Sequence, residues 1–520
     1  MVVSPVLIPN STATGEGVIP VRQLFAKSAT VCVALLTPAV LLIHGYHPYS
    51  EDAGIYVAGL RKLVNPSLYR PDAAFVLANT HVSLFGYLLA AILRITWMPL
   101  DCLLFLTYLA SIVAFLAASW MLARRIFISP AARWSATALA AACFTLPLAG
   151  TSLMLMDPYV TARSFSTPLG LFALAAAIDR RWTLTAVVLL LAALMHPLMA
   201  IYAAAFILLF VLVDLRHARL AWLLSLFGVA AAAGIYLATG HDPVTSAYRQ
   251  AVLSRSYLFP SQWAWFEYLG LAVPLLIFAL ALRRLVADSL PGSLCLTAIM
   301  LGTSSTLSAF LFVHPAGPFF LARLQLLRSF HMLYLVGIIM LGGLLGGRLL
   351  DGSQHRHRTR AARYVGLAIL GAAALSMFLA QHFTYPASAH IEFPGARPRS
   401  PWQQTFAWIR ANTPPDAIFA ANPDLVKVNG EEGQGFRVMT ERSLLGDYKD
   451  EGVTIVFPQL AAQWAREYNA QTGLDQMSDA GRLSRLQPLG VTWLLLSSAA
   501  ETSFPCPYHN AVSRVCRLTP

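Results

Sequence analysis

"SATVCVALLTPAVLLIHGYHPYSEDAGIY", residues 28–56, decides how this chain is read. From Ala29 to Ile43 it is an apolar run of the kind that crosses a bilayer, and directly behind that run stand two adjacent carboxylates, Glu51 and Asp52. They are either solvated charges opening a helix or the acid–base centre of an enzyme working at a membrane surface.

The rest of the chain supports the membrane reading. Of its 520 residues 57% are hydrophobic and 12% charged, about half the charge of an ordinary soluble protein, and the mean hydropathy is +0.60. A polytopic α-helical membrane protein is expected. The formal charge of +12 would suit nucleic acid, but the basic residues fall in short clusters between apolar runs, such as "ARR" at 123–125 and "HRHRTRAAR" at 355–363. That is the pattern of cytoplasmic loops, so no nucleic-acid partner is expected and the lipid bilayer is.

Residues 1–27 are expected to form a cytoplasmic tail, because Arg22 and Lys27 precede the first run and no small-residue cleavage pattern follows it. Further apolar runs lie near 101–122, 132–149, 164–178, 183–213, 220–238, 264–282, 292–313, 330–347 and 364–381. The run 183–213 has basic flanks at both ends, so it is expected to break at His196–Pro197 into two crossings, since proline disfavours helix before it. The run 82–98 contains Arg94 and is expected to be re-entrant or interfacial, because as a full crossing it would put the Arg124/Arg125/Arg133 cluster on the wrong side. About eleven crossings result, spanning residues 28–381. Segments 47–100, 150–163, 239–263, 314–329 and 382–520 then face away from the cytoplasm.

The last of these changes regime. "WQQTFAWIRANTP" (402–414) and "LAAQWAREYNA" (460–470) have helical spacing, and "DAIFAA" (416–421) and "VTWLLLSS" (491–498) read as short strands, so a small α/β domain is expected over 382–520. Cys32, Cys102, Cys143 and Cys295 sit in apolar runs as small hydrophobes, whereas Cys506 and Cys516 are expected to pair as a disulfide on an oxidising side. No zinc-type or nucleotide-type motif is present.

In "EDAGIYVAGLRKLV" the apolar Ile55, Val57, Leu60, Leu63 and Val64 lie mostly along one side of a helix with Arg61 and Lys62 opposite, as for a helix lying on the outer leaflet. Ser50 is the expected N-cap, and an acidic first turn is favoured by the helix dipole alone. The second outer segment, "MDPYVTARSFSTP" (156–168), supplies Asp157 and Arg163.

A first span, an outer loop opening on an acidic pair, an interfacial helix "NTHVSLFGYLLAAILRIT", a span ending in "ARRIF" and a second outer loop with an acid and an arginine together resemble the C-type (GT-C fold) membrane glycosyltransferases, in their mannosyltransferase- and arabinosyltransferase-like branch. The resemblance covers about 380 residues and extends to the exported tail. It implies a sugar donor linked to a polyprenyl phosphate, a glycan, lipid or protein acceptor, and catalytic carboxylates at Glu51, Asp52 and Asp157.

Such chemistry needs a base for the acceptor proton and cations for the leaving phosphate. Asp52 is the expected base, with Glu51 as alternate because helix neighbours diverge by about 100°. Arg163 is the first candidate for the phosphate, followed by Arg249, Arg255, Arg323 and Arg328; each also has a structural reading as a snorkelling or solvated side chain. His196 and His314, each before a proline, are candidate substrate contacts or hydrogen-bonded structural histidines. In "GFRVMTERSLLGDYKDEG" the cations Arg437, Arg442 and Lys449 form either a solvated mixed-charge face or a roof over the cleft. Glu51, Asp52, Asp157 and Asp242 would suit Mg2+ or Mn2+ if they converged, and spacing leaves that open. A transporter or flippase of an envelope precursor and a non-catalytic scaffold remain as alternatives, although no repeat relates the two halves. A bacterial inner (plasma) membrane is expected, with the C-terminal domain periplasmic or extracellular.

Overall fold

The computed structural model describes residues 21–240, 244–286, 289–350, 358–425 and 435–519. The membrane part is helical throughout: α1 (Val21–His44), α2 (Asp52–Val64), α3 (Ala73–Leu77), α4 (Phe85–Thr96), α5 (Leu100–Ile126), α6 (Pro130–Ala142), α7 (Arg163–Ile178), α8 (Trp182–Met195), α9 (Pro197–Asp214), α10 (Ala218–Thr239), α11 (Ser246–Leu253), α12 (Leu269–Leu282), α13 (Leu290–Phe312), α14 (Phe320–Leu324), α15 (Phe330–Leu350) and α16 (Arg358–Thr384). Among the described residues six helices are long and apolar enough to cross a bilayer, or seven if one bent pair counts as a span. The protein is a multi-pass membrane protein. Four further apolar helices, 29–44, 163–178, 182–195 and 269–282, are shorter. At about 1.5 Å per residue, a 14-residue helix such as α8 or α12 extends about 21 Å. That falls short of a hydrocarbon core about 30 Å thick.

Two breaks follow from local chemistry. α8 stops at Met195 because His196, ahead of Pro197, is extended (φ −148°, ψ 95°); its ring Nδ1 accepts from Met199 N–H at 3.5 Å and so caps α9. The carbonyls left over at the end of α8 are taken up by Leu84 N–H (2.8 Å to Leu194 O) and Ser83 Oγ (2.6 Å to Met195 O). That contact places the start of α4, which meets the helical segment 73–81 at a bend of 102°, the shape of a broken span or re-entrant loop. The run 132–149 is not one helix as expected: α6 ends at Ala142 and the chain turns back through a bridge between Pro147 and Met154.

α6 and α15 pack with their backbones in near contact. A Cβ added at Gly346 would lie 2.3 Å from the Ser135 Cβ, so only glycine admits that approach. At the other end of the bundle, His44 of α1, the start of α5 and the C-terminal domain gather. Tyr49 bonds Asp101 on the first turn of α5, and Tyr46 bridges to Ile391. α5, 27 residues and about 40 Å long, carries Arg124 and Arg125 at its far end.

The C-terminal domain contains α17 (Pro401–Asn412), β1 (Ile418–Ala421), α18 (Phe436–Thr440), β2 (Ser443–Leu444), α19 (Tyr448–Val456), α20 (Ala461–Gln471), α21 (Asp479–Leu486), β3 (Trp493–Ser497), β4 (Tyr508–His509) and β5 (Ser513–Arg517). Its mixed sheet has the order β2-β1-β3-β5-β4, with β1 parallel to β2 and β3, and β5 antiparallel to β3 and β4. Alternation along the strands sends Phe419, Trp493, Leu495 and Val515 to one core with Trp402, Phe406 and Ile409, and Ala420, Leu494, Leu496 and Cys516 to a second core with Leu474 and Leu486. Cys506 and Cys516 are joined as a disulfide.

Candidate active site

The chain enters the site through a backbone reversal. Glu51, not Ser50, is the N-cap of α2, with φ +50° and no side-chain capping bond. A non-glycine residue in that left-handed region is costly and must be held there by its surroundings. Because Glu51 lies off the helix and Asp52 is its first residue, the 100° divergence expected of helix neighbours does not apply, and both carboxylates face one ammonium. Lys449 Nζ lies 2.5 Å from Glu51 Oε2 and 3.4 Å from Asp52 Oδ1.

Lys449 comes from the C-terminal domain. Its place is fixed by a capping box in "DYKD": the Asp447 side chain accepts from the N–H groups of Lys449 (2.8 Å) and Asp450 (3.0 Å), and Asp450 accepts in turn from Asp447 N–H (3.2 Å). Burial works against the ammonium, but Glu51 and Asp52 more than offset it and hold the Lys449 pKa above its ordinary range.

On its other side Asp52 meets the second outer loop. Arg163, the first residue of α7, places Nη1 3.0 Å from Asp52 Oδ2 and Nη2 3.0 Å from Asp157 Oδ2, and its Nε reaches the same Asp157 oxygen at 3.2 Å. Thr161 donates to that oxygen as well, at 3.2 Å. Asp157 is 4% exposed, the Arg163 side chain 10%, and the Asp52 side chain 37%, so of the two aspartates on Arg163 the open one is Asp52. Burial raises the Asp52 carboxyl, but Lys449, Arg163 and then Arg328 overcome it and hold the group well below the usual carboxylate range. Asp157 moves the other way: burial raises it, Arg163 opposes, and the neighbouring Asp52 charge adds to the rise.

Arg328 lies in a 3-10 turn between α14 and α15. Its Nε and the Gln325 Oε1 are buried without a hydrogen-bond partner, and both residues line a small pocket with Thr151, Tyr257, Leu258 and Leu327. Gln325 is held at φ +50°. Arg328 forms no ion pair among the described residues, and buried polar groups in this condition are usually paired.

The other expected contacts fall elsewhere. Arg255 stacks on the Tyr448 ring at 3.6 Å, bonds the Tyr448 carbonyl, and lies 3.5 Å from Glu451. Arg323 donates to Val456 O at 2.8 Å. Both therefore fasten α19 to the membrane part. Arg249 lies 5.8 Å from the Phe319 ring centroid, and the half-buried His314 bonds Leu311 O one turn back at 2.9 Å, so neither joins the carboxylates. His196 is the cap of α9.

The cluster in the C-terminal domain is not a solvated face. Arg437, Arg442, Asp447, Asp450 and Glu451 are all buried, and Arg437 bridges Asp72 (2.5 Å) and Asp450 (2.7 Å) while its carbonyl accepts from Tyr69 O–H at 2.7 Å. Arg61 of α2 pairs with Glu441. α2, expected to lie on the leaflet, is thus packed between α4 and α18, and the domain roofs the acidic pair. Asp72 was not legible in the sequence as a site residue, because its partners lie more than 360 residues away.

Glu51, Asp52 and Asp157 do converge, but on cations of the chain itself. Among the described residues no group of three or more His, Cys, Asp or Glu is placed to hold a metal ion. Asp242 lies outside the described residues.

Comparison with known proteins adds two findings. A family model for a domain of unknown function (DUF6798) matches residues 400–470, the part of the C-terminal domain that carries Arg437 and Lys449. No curated protein matches the sequence. Among solved structures, the chain is similar to the archaeal oligosaccharyltransferase AglB from Archaeoglobus fulgidus, solved in complex with an inhibitory peptide and a dolichol-phosphate. The TM-score is 0.51 at 12% identity, over 91% of this chain and 70% of that one. At that identity the likeness speaks for the fold, a GT-C-like arrangement of membrane helices with a C-terminal domain.

Proposed function

We propose that this protein is a membrane glycosyltransferase that moves a sugar from a polyprenyl-phosphate carrier to an extracytoplasmic acceptor, with Asp52 as general base. One observation carries the reading: the part-open carboxylate of Asp52 and the half-buried Arg328, which forms no ion pair among the described residues, share one electrostatic cluster. Transfer requires both a proton acceptor beside the attacking hydroxyl and a cation beside the departing phosphate. The acceptor oxygen forms the new bond to the anomeric carbon, the bond from that carbon to the phosphate oxygen breaks with its electron pair leaving on phosphate, and the acceptor proton passes to Asp52. Because Lys449 and Arg163 keep Asp52 ionised, the base is ready at neutral pH. It is a weak base, so the proton moves late, once bonding to carbon has acidified the hydroxyl.

Arg328 is the residue left to grip the phosphate, since Arg163 is committed to two carboxylates. The likeness to a protein solved with a dolichol-phosphate and a peptide is consistent with a lipid-linked donor. We place about eleven crossings in the membrane, counting α6 and the four shorter apolar helices with the six long ones. The N-terminus is cytoplasmic and the C-terminal domain faces the exterior of a bacterial inner membrane, as its disulfide favours. The test is transfer of labelled sugar from a polyprenyl-phosphate donor by the purified protein. Asp52→Ala is expected to abolish transfer and Glu51→Ala to reduce it; full activity in both would remove the pair from the mechanism. A scaffold without activity draws on the same contacts, since the carboxylates are fully charge-paired, and would show no transfer with any donor.

A further inference from the structure

Three of the carboxylates that the sequence offers to a divalent cation, Glu51, Asp52 and Asp157, come together, yet the space between them is filled. Asp157 Oδ2 already takes three donors, Nη2 and Nε of Arg163 and Oγ1 of Thr161, which exhausts what one carboxylate oxygen can accept. Asp52 has one oxygen on Arg163 and the other on Lys449, and Glu51 faces the same lysine. Three acids are thus met by Arg163 and Lys449 at contact distance, with Arg328 within electrostatic range.

We infer that Arg163 is a built-in counter-ion that stands where a divalent cation would have to sit, so that the Asp52–Asp157 pair binds no such metal until that guanidinium is removed. The chemistry favours arginine for this place. A guanidinium stays charged at every accessible pH, so it cannot yield its position by losing a proton as lysine can. Its fork spans two carboxylates at once, and its side chain is 10% exposed at the start of a helix whose first turns are buried (Ser164, Ser166 and Thr167), so it has no open side to swing into. Mg2+ demands oxygen ligands at about 2.0–2.1 Å in near-octahedral array. Here an entering dication would lie against two fixed cations, and the local charge is already balanced. The inference deepens the proposed reaction, in which phosphate charge is then met by guanidinium groups, but the exclusion of metal rests on this geometry alone.

The test is Mn2+ titration of the full-length protein in lipid nanodiscs, read by the electron paramagnetic resonance signal of free Mn2+. The wild type is expected to show no saturable site dependent on Asp157. Arg163→Ser, which opens the space, and Arg163→Gln, which keeps the bulk and removes the charge, are each expected to bind Mn2+ at least about tenfold more tightly than wild type, as Coulomb repulsion between fixed cations and a dication implies. Arg163→Lys is expected to stay near wild type, and Arg163→Ser combined with Asp157→Asn to lose the gain. One-to-one Mn2+ binding by the wild type that Asp157→Asn abolishes would overturn the inference, as would no gain in whichever of Arg163→Ser and Arg163→Gln keeps the wild-type melting profile. Failure of sugar transfer counts against the proposed reaction and not against this inference; a wild-type metal site on Asp157 counts against this inference and leaves the transferase reading standing.

Discussion

Replacing Lys449 with Met keeps the length of the side chain and removes its charge from Asp52. At 3.4 Å the lost attraction is about 1.2 kcal/mol in a medium of dielectric 80 and about 5 kcal/mol at an effective 20. Asp52 keeps 37% of its side chain open, so solvent screening puts the effect near the lower figure. A change of 1.2 kcal/mol is about one pKa unit. The Asp52 carboxyl is therefore expected to rise by about one unit toward the ordinary value. The acid limb of the pH profile of kcat/KM for sugar transfer then shifts upward by the same amount, while the plateau at neutral pH survives. Stability gives a readout that needs no substrate. A carboxyl whose folded pKa is depressed adds stability that is present above its unfolded value of about 3.9 and is lost as pH falls through the folded value. Lys449→Met should accordingly be less stable than wild type at pH 6–7 by about 1 kcal/mol, read as a lower melting temperature, and the gap should close only as pH falls through the depressed folded value of Asp52, below the usual carboxylate range. Superimposable pH profiles in both assays would refute the coupling of the C-terminal domain to Asp52.

Three other outcomes follow from the same geometry. Arg437→Met leaves the buried Asp72 and Asp450 facing each other without their cation, so thermal unfolding in nanodiscs should show a loss of about 3–5 kcal/mol, part of which Asp450→Asn in the same chain restores. Arg328→Ala should raise KM for the lipid-linked donor by the worth of a charge-assisted hydrogen bond, about 1.5–3 kcal/mol, while Arg249→Ala, whose guanidinium lies beside Phe319, should leave the kinetics near wild type. Burial pushes the Glu392 carboxyl up to about 7, with Gln403 opposing. The folded state then holds the extra proton between about 4.5 and 7, and stability declines as pH rises through that window. In Glu392→Gln that decline should vanish from a plot of melting temperature against pH, and an unchanged slope would exclude the residue as its source.

Some of the site was legible because its signals are local. The break at His196–Pro197 follows from proline's effect on the residue before it, and the structure ends α8 at Met195 and begins α9 at Pro197. Asp157 and Arg163 lie six positions apart around the start of one helix, and they meet. The length of the run 132–149 misled, since hydrophobicity alone does not separate a helix from the tight, buried turn that follows Ala142. The division of labour among the arginines was hidden, because it depends on what each guanidinium finds opposite it. Arg255 meets the face of Tyr448, Arg323 meets a carbonyl of α19, and Arg328 has a buried Nε with no hydrogen-bond partner.

Composition and periodicity by themselves determined a bundle of apolar helices and a small α/β domain behind it, because hydrophobic runs and alternating strands are properties of neighbouring residues. Only the tertiary structure decided that Glu51 leaves the helix at φ +50°, so that two adjacent carboxylates reach the same lysine, and that this lysine arrives from a domain nearly 400 residues further along the chain. Electrostatic partners are chosen by distance in space. A charge read in sequence has no partner until the fold supplies one.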